Sequence, residues 1–505
     1  MSEAVRVLLE LRPALDGYAG IPQETRLMFR GLQMMEGVVG DGLIQSSGHV
    51  LAKGLAPDSG ASSLPTHKQL DRLSKVVISL QQQIGSPFWA AYRMACAHLL
   101  GSSQKLTRFD PTHFEDFVWR ALFARTLPYQ DFSLVTKANF RIAQVPWTAM
   151  HRCALVTKHV GFPLYPRLDT SDYDIMIAET PYPAVVSKST KLVVRYHDAI
   201  PILMPHTISD KRYHQASHYH ALRCNVQNGA LFSCVSDASR RDLLSIFPEV
   251  ESRSVTIPNM ISPHYFAEDS SPARIPEILR TRRHLGVRKN EHSLALLPTS
   301  NAVASGSWGA STTPESPADN ANPLQYLLIV STIEPRKNHA TLLAAWEQLR
   351  TESHPELKLV IVGMLGWDHD AIVKRFLPWL ERGELHMLED VPAPELRLLY
   401  RHARATVCPS FGEGFDYSGV EAMCCGGAVA ASDIQVHRDV YADAAEYFSP
   451  YSPREAAEAI KRVISDADGH RAALVATGRK VSAKYSPDVV LPMWREFLLR
   501  TAANK

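Results

Sequence analysis

Apolar residues in this chain fall into short runs separated by stretches of helical spacing. The first run, Val5–Leu11, reads as a buried strand. It leads through Gly17-Tyr18-Ala19-Gly20, a turn, into a helical pattern over Gln23–Leu32. Residues 41–150 are mostly helical in pattern, with aromatic and basic positions intermixed (Phe88, Trp89, Tyr92, Arg93, Phe114, Phe117, Trp119, Arg120). Strands are then predicted at Tyr173–Ala178, Lys191–Tyr196, Ala230–Val235 and Ser254–Ile257, with Ser236-Asp237-Ala238-Ser239 as a helix N-cap signal. A second array opens with a strand at Gln325–Ser331 and a helix at Asn338–Arg350. It continues with strand Leu357–Gly363, helix Asp370–Leu380, strand Leu385–Leu388 and helix Pro394–His402. Strand Ala405–Pro409, a helix opened by Val420–Cys425 and strand Ala428–Ala431 follow. Apolar strands alternating with helices predict parallel sheets covered on both faces.

Residues 288–323, rich in Ser, Ala, Pro and Asn and without apolar periodicity, read as a flexible insert. The predicted organisation is therefore a first domain over 1–287 with 41–150 as a helical insertion, and a second over 324–484. A helix within 485–505 is predicted to pack back on the first domain. Two such arrays make a two-lobed α/β protein, with the ligand expected at the carboxyl ends of the strands in the cleft between lobes.

Composition narrows the class. With 505 residues, 45% hydrophobic and 21% charged, the chain is of ordinary globular make-up, which excludes fibrous and wholly disordered readings. Its 54 basic residues nearly balance 52 acidic ones, so no nucleic-acid partner is expected. The seven cysteines show no paired spacing, so neither a disulfide framework nor a zinc site is predicted, and the cytoplasm is the expected compartment. The start, MSEAVRVLLELRP, carries charges unlike a secretory leader, and no apolar run is long enough to predict a membrane-spanning helix.

Three constellations carry candidate chemistry. The stretch from Ser410 to Glu421, SFGEGFDYSGVE, lies between a strand and a helix, where glycines bring amides close to a ligand and a helix N-terminus suits an anion. Glu413 and Glu421 serve different subsites, because a glycine-rich turn separates them; Glu421 can accept from a vicinal diol and Glu413 can reach a sugar ring. The plainer alternative is an exposed Glu413 and a Glu421 that merely favours the helix start. In Ser331-Thr332-Ile333-Glu334-Pro335-Arg336-Lys337-Asn338, two cations sit against the positive end of a helix. That placement favours an anion such as a diphosphate between them, the plainer alternative being a solvated charge pair at the helix start. Third, Arg195-Tyr196-His197-Asp198 ends a strand of the first lobe, where His197 could face a reacting centre, oriented by Asp198, or serve as a structural hydrogen-bonder. The Gly17–Gly20 turn is either a ligand approach or a plain strand–helix connection. Asp368 reads as an N-cap. No GxxxxGK[ST] loop, no GxGxxG after a strand and no HExxH occur.

Residues from Tyr326 to about Pro450 resemble the C-terminal lobe of family 4 retaining glycosyltransferases, which have the GT-B fold. The resemblance rests on STIEPRKN, LVIVG, LEDVPAPELRLLY, SFGEGFDYSGVEAM and ASDIQVHRDV, in that order, with Glu413 and Glu421 as the Glu-x7-Glu signature. The first lobe resembles the family less densely, through Gly20, YHDAIPILMP and VSDAS…IPNMI. The resemblance implies GT-B, two Rossmann-like domains facing a central cleft. It implies Arg336 and Lys337 on the donor diphosphate, Glu421 on its ribose and Val391 near its base. Glu413 and the amides of Gly414, Phe415, Asp416, Tyr417 and Ser418 would hold the sugar, with His197 beside the leaving group and Gly20 at the donor. Ser331-Thr332 replaces a Gly-Arg pair of many relatives, and Asp416 replaces a common glycine.

The implied activity is metal-independent hexosyl transfer with retention and no cofactor. The STIEPRKN and EGFDYSG variants are most similar to bacterial mannosyltransferases that use GDP-mannose in lipopolysaccharide, capsule or exopolysaccharide synthesis. The acceptor would be a glycan or lipid-linked glycan. Residues 41–150 would then touch the cytoplasmic membrane face or simply pack as amphipathic helices. The alternatives are a UDP-sugar donor, a nucleotide-sugar epimerase, or a non-catalytic sugar-nucleotide-binding protein on the same scaffold.

Overall fold

The computed structural model describes residues 4–15, 17, 20–56, 64–158, 163–284, 323–465 and 469–503. The expected insert 288–323 lies, apart from Pro323, outside the described residues.

Two sheets organise the chain. The first draws on β1 (Val5–Glu10), β2 (Val38–Ile44), β4 (Thr107–Phe109), β5 (Phe140–Ile142) and β7 (Ile175–Ala178). Strands β8 (Lys191–Tyr196), β9 (Leu231–Cys234) and β10 (Ser254–Thr256) complete it, while β3 (Gln104–Lys105) and β6 (Leu168–Asp169) form a separate pair. The second sheet contains β11 (Tyr326–Val330), β12 (Lys358–Val362), β13 (Leu385–Leu388), β14 (Ala405–Cys408), β15 (Val429–Ser432) and β16 (Ala445–Phe448).

Strand order is β10-β9-β8-β7-β1-β2-β5-β4 in the first sheet and β13-β12-β11-β14-β15-β16 in the second. All pairings are parallel except the edge pair β4–β5. Each order reverses direction next to its first strand, between β1 and β7 and between β11 and β14. Such switch points open a crevice at the carboxyl ends of the strands.

Side-chain alternation assigns the faces. Val7 and Leu9 enter one core and Leu8 the opposite one; Leu327 and Ile329 lie on one face of the second sheet and Leu328 on the other. Apolar sequence on both faces is what a parallel sheet wrapped by helices requires. Helix α1 (Ile21–Met34) follows β1 with Pro22 in its first turn, where a missing N–H costs nothing.

Two expectations need correction. Residues 41–150 are less helical than their pattern suggests: besides α2 (Thr66–Gln81), α3 (Pro87–Leu99) and short helical turns between Glu115 and Thr136, they hold the end of β2 and the strands β3, β4 and β5. Strands of two or three residues are too short to show a period and form because a neighbour offers a ladder. Ile275, Ile278 and Leu279, within the expected first domain, pack into a core shared by Val235 and Ala238 with Tyr326 and Leu328 of the second sheet. Asp368 does not cap a helix; Asp370–Glu381 starts after His369, and the Asp368 carboxylate lies 3.5 Å from Lys211 Nζ.

The C-terminal helix, Pro487–Ala503, buries Val490, Trp494 and Leu498 in the core beneath the first sheet.

Candidate active site

The loops leaving β11 and β14 at the switch point of the second sheet carry the cationic pair and the first carboxylate. Asn338, at φ 54°, ends the first loop and caps helix His339–Glu352. Its side-chain amide donates to the carbonyls of Pro409 (3.0 Å) and Pro450 (2.8 Å), which ties the two loops together. Arg336 donates through Nη1 to the Gly412 carbonyl (2.7 Å) and Glu413 Oε2 (2.8 Å), and through Nη2 to Glu334 Oε1 (2.7 Å). Lys337 Nζ donates to Glu413 Oε1 at 2.6 Å.

The anion that answers these cations is therefore Glu413 itself, with Glu334 as second partner. Arg336 and Lys337 beside a helix start call for an anion, and in this structure the Glu413 carboxylate fills that place. Burial pushes the Glu413 carboxyl up, but Arg336 and Lys337 outweigh it and hold the group below the usual carboxylate value.

Glu421 lies in the first turns of helix Tyr417–Cys424. Its oxygens accept from Gln23 Nε2 (3.2 Å) on α1 and from the Tyr400 hydroxyl (3.0 Å). Burial raises its pKa to about 7 against those two hydrogen bonds. The site therefore holds one carboxylate charged by cations and one poised near neutrality.

The side chains of residues 415–418 turn into the protein, so any contact of this stretch with a donor falls to its backbone amides, as expected for them. Asp416, at φ 59°, caps the helix through Oδ1, accepting from the Ser418 amide (3.2 Å) and hydroxyl (2.7 Å), while Oδ2 faces His437 Nε2 at 3.2 Å. Burial raises the Asp416 pKa, but the His437 hydrogen bond and nearby cations more than reverse this. The Ser418 amide is thus already committed. Phe415 is buried between the rings of Tyr417 and Tyr485. The Tyr417 hydroxyl donates across the domain boundary to Glu24 Oε2 at 2.9 Å.

Gly414 is where the domains meet. A Cβ there would sit 2.1 Å from the His197 carbonyl oxygen, so only glycine allows this approach. The Gly414 carbonyl accepts from Ser236 Oγ (2.7 Å) and Ser239 Oγ (3.2 Å), and Ser239 Oγ also donates to the His197 carbonyl at 2.8 Å.

His197 follows β8, and its Nε2 is 3.4 Å from Glu179 Oε2. The expected orienting partner, Asp198, instead accepts from the Ile200 amide at 2.9 Å. Burial, followed by the Arg195 charge, lowers the His197 pKa to about 4, so the imidazole is neutral at physiological pH. Burial, with Glu10 adding to it, raises Glu179 to about 8 despite Arg195. At neutral pH the pair is a neutral acid against a neutral imidazole.

Sequence reasoning missed this buried network. Glu10 pairs with Arg12 at 2.7 Å and accepts from the Glu179 amide at 3.0 Å. Arg195 donates to Glu24 Oε1 (2.9 Å) and Asn259 Oδ1 (2.7 Å). Glu10 and Glu179 sit at the ends of β1 and β7, the switch point of the first sheet. A lone carboxylate closing an apolar run, as in VRVLLE and IMIAE, was the available signal.

Gly20 caps α1 at φ 71°, and a Cβ there would meet nothing within 4 Å, so space lies open before the helix whose Gln23 and Glu24 reach Glu421 and Tyr417. Val391 packs, part-buried, against the core that also holds Phe415 and Tyr417.

Two Rossmann-like domains whose switch points converge on one cleft define the GT-B class, and this chain is a GT-B protein. Residues 314–481 match the family model for glycosyl transferases group 1. Among curated relatives, O-antigen chain mannosyltransferase B of Escherichia coli is 28% identical over 275 residues, 54% of this chain and 61% of that protein. The serotype-specific mannosyltransferase WbdA of Escherichia coli is 36% identical over 136 residues, 26% of this chain and 16% of the relative. The matches thus span less than two thirds of these relatives' length. Among solved structures, sucrose-phosphate synthase from Thermosynechococcus elongatus superposes with a TM-score of 0.58 at 13% identity, covering 99% of this chain and all of that one (100%). Anabaena HepE in complex with UDP does so with 0.52 at 14% identity, covering 98% and 100%.

Proposed function

We propose that this protein is a retaining, metal-independent glycosyltransferase that moves a hexose, mannose from GDP-mannose, onto a glycan or lipid-linked acceptor in surface-polysaccharide synthesis on the cytoplasmic side. The observation that carries this reading is the contact of the Gly414 loop, beside the Arg336–Lys337–Glu413 cluster, with the His197 turn of the other domain. The mannosyltransferases among the relatives support the choice of sugar.

In this reading the donor diphosphate takes over Arg336 and Lys337, and Glu413, released from them, accepts from the sugar hydroxyls. The ribose replaces Gln23 on Glu421, Val391 borders the base, and the open space before Gly20 admits the donor from the first domain. As the bond from the anomeric carbon to the phosphate oxygen breaks, the fixed cations stabilise the departing diphosphate. The acceptor hydroxyl then bonds to that carbon on the same face and passes its proton to the released phosphate oxygen. Neutral His197, held by Glu179, walls the sugar without adding a competing charge.

The test incubates purified protein with labelled GDP-mannose or UDP-hexoses, with and without acceptor, and reads the product's anomeric configuration by NMR. Acceptor-dependent mannosyl transfer from GDP-mannose with retention is the expected result. Product formed from donor alone would favour an epimerase, an inverted linkage would overturn the mechanism, and nucleotide binding without product would mark a binding protein.

A further inference from the structure

The carboxyl edge of the first sheet extends well past His197. From β8 the strand order runs β7, β1, β2, β5, so residues after β5 lie four strand steps from His197. At about 4.8 Å per step that is roughly 19 Å. There, Gln144 after β5 and Lys53 after β2 wall a cavity of ≈ 320 Å³ whose other side is α3. Its lining includes three cations, Lys53, Arg93 and Lys105, together with Gln104, Gln144 and Thr107, and no carboxylate. None of the three cations has a carboxylate partner among the described residues. Asp169, the register partner of Lys105, has its Oδ1 engaged by the Ser171 hydroxyl at 2.7 Å.

Three cations without a carboxylate partner among the described residues, around one hollow, create a potential that favours a multiply charged anion, and the carboxamides and hydroxyl suit phosphate oxygens. On α3, beside Arg93, Phe88, Trp89 and Tyr92 are 72%, 59% and 56% exposed. Their rings touch in sequence, with centroids 5.6 and 5.9 Å apart. An exposed aromatic surface next to a cationic hollow matches a ligand with a phosphate head and an apolar chain.

We propose that this cavity is the phosphate subsite for the acceptor: it takes the phosphate or diphosphate of a lipid-linked glycan whose far hydroxyl reaches His197, and the α3 aromatics cover the first part of the lipid chain. This rests on the transferase reading above and gives that reading its acceptor class.

Acetylation of Lys53 and Lys105 in the full-length protein, read by mass spectrometry, tests the site directly. Inorganic pyrophosphate should slow labelling of both by at least about threefold at saturation, with Lys75 on α2 unchanged. Absence of protection would overturn the proposal. Protection by phosphatidylglycerol vesicles but not by pyrophosphate would also overturn it, by assigning the cations to a bilayer. In transfer assays, the Lys53→Ala/Lys105→Ala variant should raise KM for a lipid-diphosphate glycan by about tenfold or more, with donor KM and donor hydrolysis unchanged. An unchanged acceptor KM would overturn it. A wild-type protein that neither binds sugar nucleotide nor transfers sugar defeats the transferase reading instead, and the labelling arm then decides the subsite alone.

Discussion

Glu413 and Glu179 are buried carboxylates held in opposite states by their neighbours. Two cations keep Glu413 charged, whereas burial leaves Glu179 with its proton at neutral pH. Glu413→Gln removes the charge that Arg336 and Lys337 answer, and an unpaired buried cation is costly, about 3–5 kcal/mol. The variant should melt below wild type, lose nearly all turnover, and show a larger thermal shift with GDP than wild type does, because the ligand supplies the missing anion. A smaller shift would contradict the exchange of Glu413 for phosphate. Glu179 gives a pH signature. Its folded pKa of about 8 lies above the ordinary carboxylate value. The folded protein therefore keeps a proton that the unfolded chain has already released, and stability falls as pH rises toward 8, by up to ~1.4 kcal/mol per unit. His197, with its lowered pKa, acts in the opposite sense only below its ordinary value, and Glu421, raised to about 7, adds the same sign as Glu179 at the start of the pH 7–8.5 window, so the comparison with a Glu179 variant isolates that carboxyl. Urea midpoints for Glu179→Gln should decline less over that window than those of wild type.

At the scale of elements, the loop between β14 and helix Tyr417–Cys424 does two jobs. Its Arg336-linked half belongs to the second domain, and Gly414 presses against the first. Gly414→Ala should push the lobes apart, raise the radius of gyration measured by small-angle X-ray scattering, and abolish transfer while GDP affinity stays within a few-fold. Unaltered scattering with full activity would remove the loop from the closing contact. Most of these elements were legible. Runs such as YLLIV and the LVIV that follows Lys358 are apolar throughout and end in β-branched residues, so they read as strands buried on both faces. The site motifs were legible as positions, but not as partners. That Asp416 would face His437 or that Tyr417 would reach Glu24 depends on residues 21 and 393 positions away, which no local pattern encodes.

Across the whole molecule, the C-terminal helix ties the end of the chain to the first domain. Trp494 is fully buried there, with the Arg195 guanidinium 5.1 Å from its ring centroid. Trp494→Ala should cost about 3–5 kcal/mol of stability by denaturant unfolding. A loss below 1 kcal/mol would mean that the helix does not hold the domain (cf. the cost of ordinary surface changes).

The alternation of apolar runs with helical stretches determined two α/β arrays, and the spacing of Arg336, Lys337, Glu413 and Glu421 marked the segments that form the candidate site. Both are local consequences of side-chain periodicity and of glycine-rich turns at strand ends. Only the tertiary structure decided which charges neutralise each other. The strand orders bring β1 beside β7 and β11 beside β14, so carboxylates and cations remote in sequence meet in one low-dielectric interior, where each group's charge depends on its neighbours rather than on its own type.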